Sequence, residues 1–264
     1  MSKSNVFQKT GIVIDTMKDR LSANVEKYFK KPSKERTIVT DPFAAVRIIT
    51  NTSEDLQPYT NETSSKNLLG IIDNNLQNRL PPKRYEKVKN FKNNKDWINI
   101  LNSLYTLIRI YKPSIVVETG VGEIGMSTTY ILAALHENNN GALYSIDPDK
   151  FYEVYGYHIG AGIPEEYRDR HSIVIGRSQS TMRDLLKRTG SVDIFLHDGD
   201  HRYGTKLYEY ELAYEYVKNQ GIILSDDTWD SAFDFFTNAH KIQGYSIKYG
   251  NNDYFSYSRF QKNQ

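Results

Sequence analysis

Two acidic stretches that follow apolar runs contain residue types that bind cations or move protons. "HDGDHRY" includes Asp198 and His201, and "LSDDTWD" includes Asp226 and Asp227. Carboxylates crowded at one point repel one another unless a cation or shared protons intervene. Asp198, Asp226 and Asp227 are therefore predicted to hold a hard divalent ion, with Mg²⁺ ahead of Mn²⁺ or Ca²⁺. His201 is the candidate general base beside that ion.

A glycine-rich turn precedes these acids in the chain. Gly120, Gly122 and Gly125 have GxGxxG spacing between a predicted strand and a predicted helix, a context in which the pattern indicates a ligand site. Missing side chains let a ligand approach the backbone, and N–H groups at a helix start favour an anionic group. Asp147 ends the next predicted strand, where a carboxylate can accept hydrogen bonds from ribose. We expect an adenosine-like ligand; a tight turn without a ligand is the alternative.

The elements that must position these residues alternate regularly from Trp97 onward. The apolar runs SIVVET, ALYSID, SIVIG, VDIFLHD and GIILSDD predict buried strands, and helical stretches lie between them. "YSIKYG" and "YFSYSRFQ" have hairpin spacing. The sequence thus predicts an α/β fold, with a Rossmann-like seven-stranded, mostly parallel sheet that closes on a C-terminal antiparallel hairpin. The glycine turn, Asp147 and both acidic stretches then share the edge at the strands' carboxyl ends.

Residues 1–95 differ from the rest, because they are polar and lack a strand-helix rhythm. Amphipathic helices are predicted in "TMKDRLSANVEKYF" and in "SSKNLLGIIDNNLQNRL". We predict two parts: an N-terminal helical extension over 1–95 that serves as a lid or a homo-oligomer contact, and a catalytic domain over 96–264. A solvated tail is the alternative for the first part.

The composition limits which kinds of partner and which cellular compartment are expected. The 264 residues carry 34 Lys+Arg against 32 Asp+Glu, so no sequence-wide field favours nucleic acid or a membrane surface. The chain has no cysteine, which excludes thiolate chemistry, and no apolar run approaches the roughly 20 residues of a membrane span. We expect a cytoplasmic protein whose partner is a small molecule.

The stretch from Glu118 to Ser127 resembles motif I of the class I S-adenosylmethionine-dependent methyltransferases. A buried carboxylate at Glu118 needs N–H or cationic partners, and a cofactor with an ammonium group suits it. By this resemblance the turn holds the methionine part of S-adenosylmethionine and Asp147 holds the ribose. The cofactor-binding residues that the resemblance implies are Glu118, Gly120, Gly122, Gly125, Ser127, Asp147 and Ser178.

The acidic stretches are similar to those of metal-dependent O-methyltransferases of the catechol and macrocin type. The resemblance implies that Asp198, Asp226 and Asp227 bind Mg²⁺, and that His201 and Asp198 are catalytic. It further implies methylation of a hydroxyl on a sugar or an aromatic diol. One departure is Asp226, where Glu occurs in the sugar enzymes and the catechol enzymes have Asp followed by Asn.

Other interpretations stay open. Tyr214 and Lys218 form Y-x-x-x-K on a predicted helix, which resembles short-chain dehydrogenases and allows a nicotinamide-dependent oxidoreductase on the same sheet. A non-catalytic nucleotide-binding protein is a further alternative. The acids are also candidate helix caps, Asp200 for the helix near 203 and Asp227 or Asp230 for the helix near 231.

Overall fold

The computed structural model describes residues 36–249 and 253–260. Between residue 42 and the sheet the chain is mostly helical. The bounds are α1 Pro42–Thr50, α2 Gln57–Lys66, α3 Leu68–Arg79, α4 Pro82–Val88, a 3₁₀ turn Lys89–Asn93 and α5 Lys95–Tyr111. Asp41 begins α1, because its carboxylate accepts the N–H groups of Phe43 and Ala44. The predicted helix at 16–29 lies outside the described residues.

In the described part of the chain seven strands form one sheet, in the order β3-β2-β1-β4-β5-β7-β6. The strands are β1 Ile115–Thr119, β2 Ala142–Asp147, β3 His171–Ile175, β4 Val192–His197, β5 Val217–Ser225, β6 Gly244–Tyr249 and β7 Asp253–Arg259. The helices between them are α6 Met126–Glu137, α7 Lys150–Tyr155, α8 Ser178–Thr189, α9 Tyr203–Tyr216 and α10 Ala232–Ala239. Strands β1 to β5 are parallel, whereas β7 pairs antiparallel with both β5 and β6. The predicted fold class is confirmed.

Each face of the sheet carries its own apolar core. Ile194 and Leu196 of β4 pack in a cluster with α1, α3, α5 and α6, whereas Phe195 between them packs with α8, α9 and α10. Successive side chains of a strand point to opposite faces, and helices cover both, so the central strands read as continuous apolar runs. The helices α1 and α3 share a core cluster with the sheet; the boundary at residue 95 stays a prediction.

One predicted helix is shorter than expected. The sequence pattern predicts a helix through residue 219, but α9 ends at Tyr216 and β5 begins at Val217. Tyr214 therefore lies on a helix and Lys218 on a strand, where Lys218 pairs with Asp193 across 2.6 Å. The two residues do not share a helix face, so the predicted Y-x-x-x-K pair on one helix is wrong.

No helix within residues 36–249 and 253–260 is both long enough and apolar enough to cross a membrane.

Candidate active site

The three motif glycines have different reasons to be glycine. All have positive φ, and a Cβ on Gly120 would lie 1.9 Å from the carbonyl oxygen of Asp198. A Cβ on Gly125 would lie 2.7 Å from the side chain of Ile163, whereas nothing lies within 4 Å of one on Gly122. Gly120 and Gly125 thus serve the protein's own packing, and Gly122 is the position whose missing side chain leaves open space.

Asp147 binds the glycine turn itself. Its Oδ2 accepts the N–H groups of Val121 (2.9 Å) and Gly122 (3.0 Å), and its Oδ1 accepts the N–H of Asp149 at 2.9 Å. An ionised carboxylate offers about four acceptor positions, so about one is left for a ligand hydroxyl. To bind both ribose hydroxyls, Asp147 would therefore have to lose one of its hydrogen bonds from the N–H groups of the turn.

The carbonyl side of the turn is held by the loop that follows α7. The N–H groups of Gly160, Ala161 and Gly162 donate to the carbonyls of three consecutive turn residues, 122 to 124, over 2.8 to 2.9 Å. The turn is thus fixed on both sides, by β2 through Asp147 and by this loop.

The buried side chain of Glu123 ties the turn to the helices before the sheet. Its carboxylate accepts both Nε and Nη2 of Arg84 on α4, and the hydroxyl of Tyr157 at 2.5 Å. The Arg84 guanidinium also lies over the ring of Tyr155, 5.0 Å from its centroid. Sequence reasoning missed this cluster, because nothing in the GxGxxG pattern indicates where a side chain within it will be bound.

A cavity of about 320 Å³ opens beside the turn at the carboxyl ends of the strands. Gly120, Gly122, Asp147 and Ser178 line it, together with Asp198 and His201. The lining also includes Thr119, Ile146, Pro148, Lys150, Phe151, Gly176, Arg177, Gln179, Gly199, Asp200 and Glu209. The predicted cofactor residues Glu118, Gly125 and Ser127 lie outside this lining.

Glu118 is fully buried and only half satisfied. Its Oε1 accepts hydrogen bonds from the hydroxyls of Thr128 (2.8 Å) and Ser145 (2.6 Å), whereas Oε2 has no partner in the described part of the chain. Burial raises the pKa of Glu118 to about 7. The predicted need of this carboxylate for a cationic or N–H partner is therefore unmet here.

The two acidic stretches meet at the same edge of the sheet. Asp198, His201 and Asp226 each offer a ligand atom, and these atoms all lie within 4.8 Å of one another. Asp227 joins the group through His201, whose Nε2 lies 3.4 Å from its Oδ2. Loss of solvent raises the pKa of Asp198 to about 8 and that of Asp226 well above its usual range, with further increases from neighbouring carboxylates. This donor set, oxygen-rich and short of positive charge, fits a hard divalent cation.

Two hydroxyl groups hold these acids. Ser127 donates to Oδ2 of Asp198 at 3.0 Å, and Tyr249 donates to Oδ1 of Asp226 (2.6 Å) and to Oδ1 of Asp227 (3.1 Å). Ser127 was predicted to contact the cofactor; in the structure its hydroxyl points to the acid cluster. Tyr249 was not predicted, and the chain's 20 tyrosines carry no signal that separates it from the others.

His201 is able to accept a proton at neutral pH, but its pKa lies below the value near the working pH that is expected of a general base. Burial lowers the pKa of its imidazole to about 4, although Asp227 acts in the opposite direction, so the ring is neutral at neutral pH. Its Nδ1 is buried without a hydrogen-bond partner among the described residues. Asp200 is turned away to Arg202 and Thr205, and Asp230 accepts the N–H of Ala232 at the start of α10. Helix capping therefore explains the position of Asp230, but it does not explain why Asp198, Asp226 and Asp227 lie together.

Comparison with known families identifies the class of this domain. Residues 117–228 match the family described as "Methyltransferase domain". This segment runs from β1 to the loop after β5 and so includes the glycine turn and both acidic stretches. The match spans less than half of the chain, and by it the predicted class, an S-adenosylmethionine-dependent methyltransferase, is confirmed.

Solved structures with similar folds include an O-methyltransferase from Bacillus cereus in complex with SAH, at 13% identity and a TM-score of 0.45, covering 82% of this chain and 97% of that one. TomG from Streptomyces achromogenes, an O-methyltransferase in complex with SAM, has 16% identity and a TM-score of 0.42 over 60% of this chain and 78% of its own. MycE, a methyltransferase of mycinamycin biosynthesis solved with Mg and SAH, has 20% identity and a TM-score of 0.37, covering 49% of this chain and 32% of its own. Likenesses this low transfer neither a substrate nor a site residue. A search of curated proteins found no significant match.

Proposed function

We propose that this protein is an O-methyltransferase that methylates a hydroxyl of a small molecule with help from a divalent cation. The observation that carries the proposal is the meeting of the glycine-turn cavity and the acid cluster at Asp198, which lines the cavity and bonds to Ser127. A vicinal diol on a sugar or an aromatic ring is the acceptor class that suits a cation beside a cofactor cavity.

The chain's own residues supply cofactor binding. The open space at Gly122 and the carboxylate of Asp147 are suited to the amino acid and ribose parts of S-adenosylmethionine. Behind the turn lies Glu118, whose Oε2 has no hydrogen-bond partner among the described residues and is open to an ammonium group. When bound, this cofactor supplies an electrophilic methyl group on a sulfonium. Its carbon–sulfur bond would break as the new carbon–oxygen bond forms, so a residue of this chain would have to accept the proton that the hydroxyl releases.

Proton removal is assigned to His201. Its neutral imidazole can accept the acceptor's proton at Nε2, and the Asp227 carboxylate 3.4 Å away stabilises the imidazolium that results. Asp198, Asp226 and Asp227 would hold Mg²⁺. That ion would lower the pKa of the acceptor hydroxyl.

The helices before the sheet are proposed as a lid over the cofactor turn. Arg84 on α4 reaches Glu123 inside the turn, which supports a role in closing the cavity. An oligomer contact through residues 1–95 remains a prediction, and so does a cytoplasmic location.

Methyl transfer to a panel of catechols and sugar diols, followed by mass spectrometry with and without Mg²⁺, tests the proposal. His201→Gln is expected to lower kcat by about 100-fold or more with unchanged SAH affinity. His240→Gln is the matched control, because His240 pairs with Glu211 outside the site. Activity that survives exhaustive EDTA treatment would remove the ion from the mechanism, and binding of NADH without binding of SAH would favour an oxidoreductase.

A further inference from the structure

A buried lysine binds the loop after β5, which carries Asp226 and Asp227. Lys206 on α9 is fully buried, and its Nζ lies 2.5 Å from the carbonyl oxygen of Asp227 and 3.3 Å from Oδ2 of Asp230. The ammonium also lies 4.2 Å from the ring centroid of Trp229. Removing an ammonium from water is costly unless it is paired. Each of these compensating contacts is with the segment 227–230.

Asp227 has a backbone conformation that needs support. Its φ is 50°, in the left-handed region that residues other than glycine seldom adopt, although Asp and Asn enter it more readily than most. This conformation sets the direction of the Cα–Cβ bond from which the Asp227 carboxylate extends. The carboxylate lies between two groups of the site: Oδ2 is 3.4 Å from His201 and Oδ1 accepts the Tyr249 hydroxyl.

The neighbouring carbonyls of the loop are held by a different cation. Arg36 donates from Nη1 to the carbonyl of Thr228 (2.5 Å) and from Nη2 to that of Asp230 (2.8 Å), while its guanidinium pairs with Asp234. Arg36 thus fixes residues 228 and 230, and the grip on the carbonyl of Asp227 comes from Lys206.

We propose that Lys206 is a positioning residue for the cation site: it holds the left-handed backbone of Asp227 and thereby the Asp227 carboxylate. This inference rests on the cation site of the proposed function. In the competing interpretation, the Lys206–Asp230 ion pair only fastens α9 to the loop. The two interpretations differ in what loss of the ammonium does to ion binding.

The test compares Lys206→Met, which keeps most of the aliphatic stem, with Lys218→Met. The control removes a lysine paired with Asp193, at the end of β4 away from the acid cluster. Mn²⁺ affinity is measured by electron paramagnetic resonance, SAH affinity by calorimetry and folding by thermal unfolding. Lys206→Met is expected to weaken Mn²⁺ binding by about tenfold and to keep SAH affinity, as for other residues that orient metal ligands. Lys218→Met is expected to change neither affinity.

An unchanged Mn²⁺ affinity in Lys206→Met overturns the inference, even if the melting temperature falls. A parallel loss of SAH and Mn²⁺ affinity also overturns the inference, because it indicates that the whole site has lost its structure and not the cation site alone. If the wild-type protein binds no Mn²⁺, the cation site does not exist. That result contradicts the proposed function, and it is distinguished from a failure of the Lys206 inference because the wild type alone shows it. Should Lys206→Met not fold, Lys206→Gln, whose amide stops about one bond short of the Asp227 carbonyl, takes its place with the same expected loss.

Discussion

The hydroxyl of Ser127 donates a hydrogen bond to Oδ2 of Asp198 across 3.0 Å. Ser127 lies in the first turn of α6, directly after the glycine turn, and Asp198 directly follows β4. The bond therefore joins the cofactor motif to the acid cluster in a single contact. A substitution in the cofactor motif is therefore expected to change ion binding at the acid cluster.

Replacement of Ser127 by alanine tests that link. The Ser127 hydrogen bond lowers the pKa of Asp198, against the burial that raises it to about 8. Without the bond the carboxyl holds its proton more tightly, and the proton competes with the cation. Ser127→Ala is expected to weaken Mn²⁺ binding by about tenfold near pH 7, with a smaller loss at higher pH, where Asp198 is ionised in both proteins.

Mn²⁺ titrations across this pH range provide the measurement for Ser127→Ala. Ser180→Ala is the control, because the Ser180 hydroxyl bonds to the carbonyl of Arg177 within its own turn. A loss of affinity that is the same at every pH would contradict the assigned role of the hydrogen bond.

Gly120 and Gly122 are predicted to respond differently to alanine. A methyl on Gly120 meets the Asp198 carbonyl at 1.9 Å, so Gly120→Ala must displace β1 from β4 and is expected to lower stability by several kcal/mol. Gly122→Ala meets no atom within 4 Å and costs only about 1–2 kcal/mol for its left-handed φ. The second variant should fold and bind SAH at least about tenfold more weakly.

Thermal unfolding and SAH calorimetry on both glycine variants separate packing from binding. The expectation for Gly122 fails if Gly122→Ala binds SAH as well as the wild type does, since the cofactor would then not approach the backbone there.

Much of this architecture can be predicted from the sequence, because strands buried on both faces read as continuous apolar runs between helices. The glycine turn, Asp147 and the acids then follow from the shared edge of a parallel sheet. Tyr249 and Arg84 could not be predicted in this way. Their contacts join residues 22 and 39 positions apart, and which tyrosine or arginine reaches a given acid depends on the packed fold. Likewise, the pattern GxGxxG does not distinguish Gly122 from Gly120.

Stability without cofactor is predicted to depend on pH through Glu118. Its pKa is about 7 in the folded protein against an ordinary value of 4.5, so the folded state keeps a proton that the unfolded state releases. The resulting stability is fully present below pH 4.5 and is lost as the pH rises through 7. Between pH 4.5 and 7 the free energy of unfolding should fall by on the order of 3 kcal/mol because of Glu118.

Denaturant unfolding of wild type and Glu118→Gln at several pH values checks this expectation. The glutamine NH₂ group at the Oε2 position finds no partner among the described residues, a cost that does not vary with pH, so the informative quantity is the slope. The stability of Glu118→Gln relative to wild type should increase between about pH 4.5 and 7 and then level off. Parallel curves would show that Glu118 titrates normally when folded.

Arg84 is predicted to hold the glycine turn in its binding conformation. Arg84→Met leaves the buried Glu123 carboxylate with only the Tyr157 hydroxyl from this cluster, and breaking such a pair by removing one partner typically costs about 3–5 kcal/mol. Since Arg84 is partly exposed, the lower end of that range is expected. SAH affinity should fall as well, because Glu123 lies inside the turn.

The double variant Arg84→Met/Glu123→Gln distinguishes a buried unpaired charge from lost packing. Neutralising Glu123 should recover much of the stability lost in Arg84→Met, whereas SAH affinity should stay low because the turn remains untied from α4. Arg183→Met is the matched control: the Arg183–Glu215 pair spans 3.4 Å with both side chains at least half exposed and should contribute about 0–1 kcal/mol. Equal SAH affinity in wild type and Arg84→Met would show that the lid helices do not act on the cofactor turn.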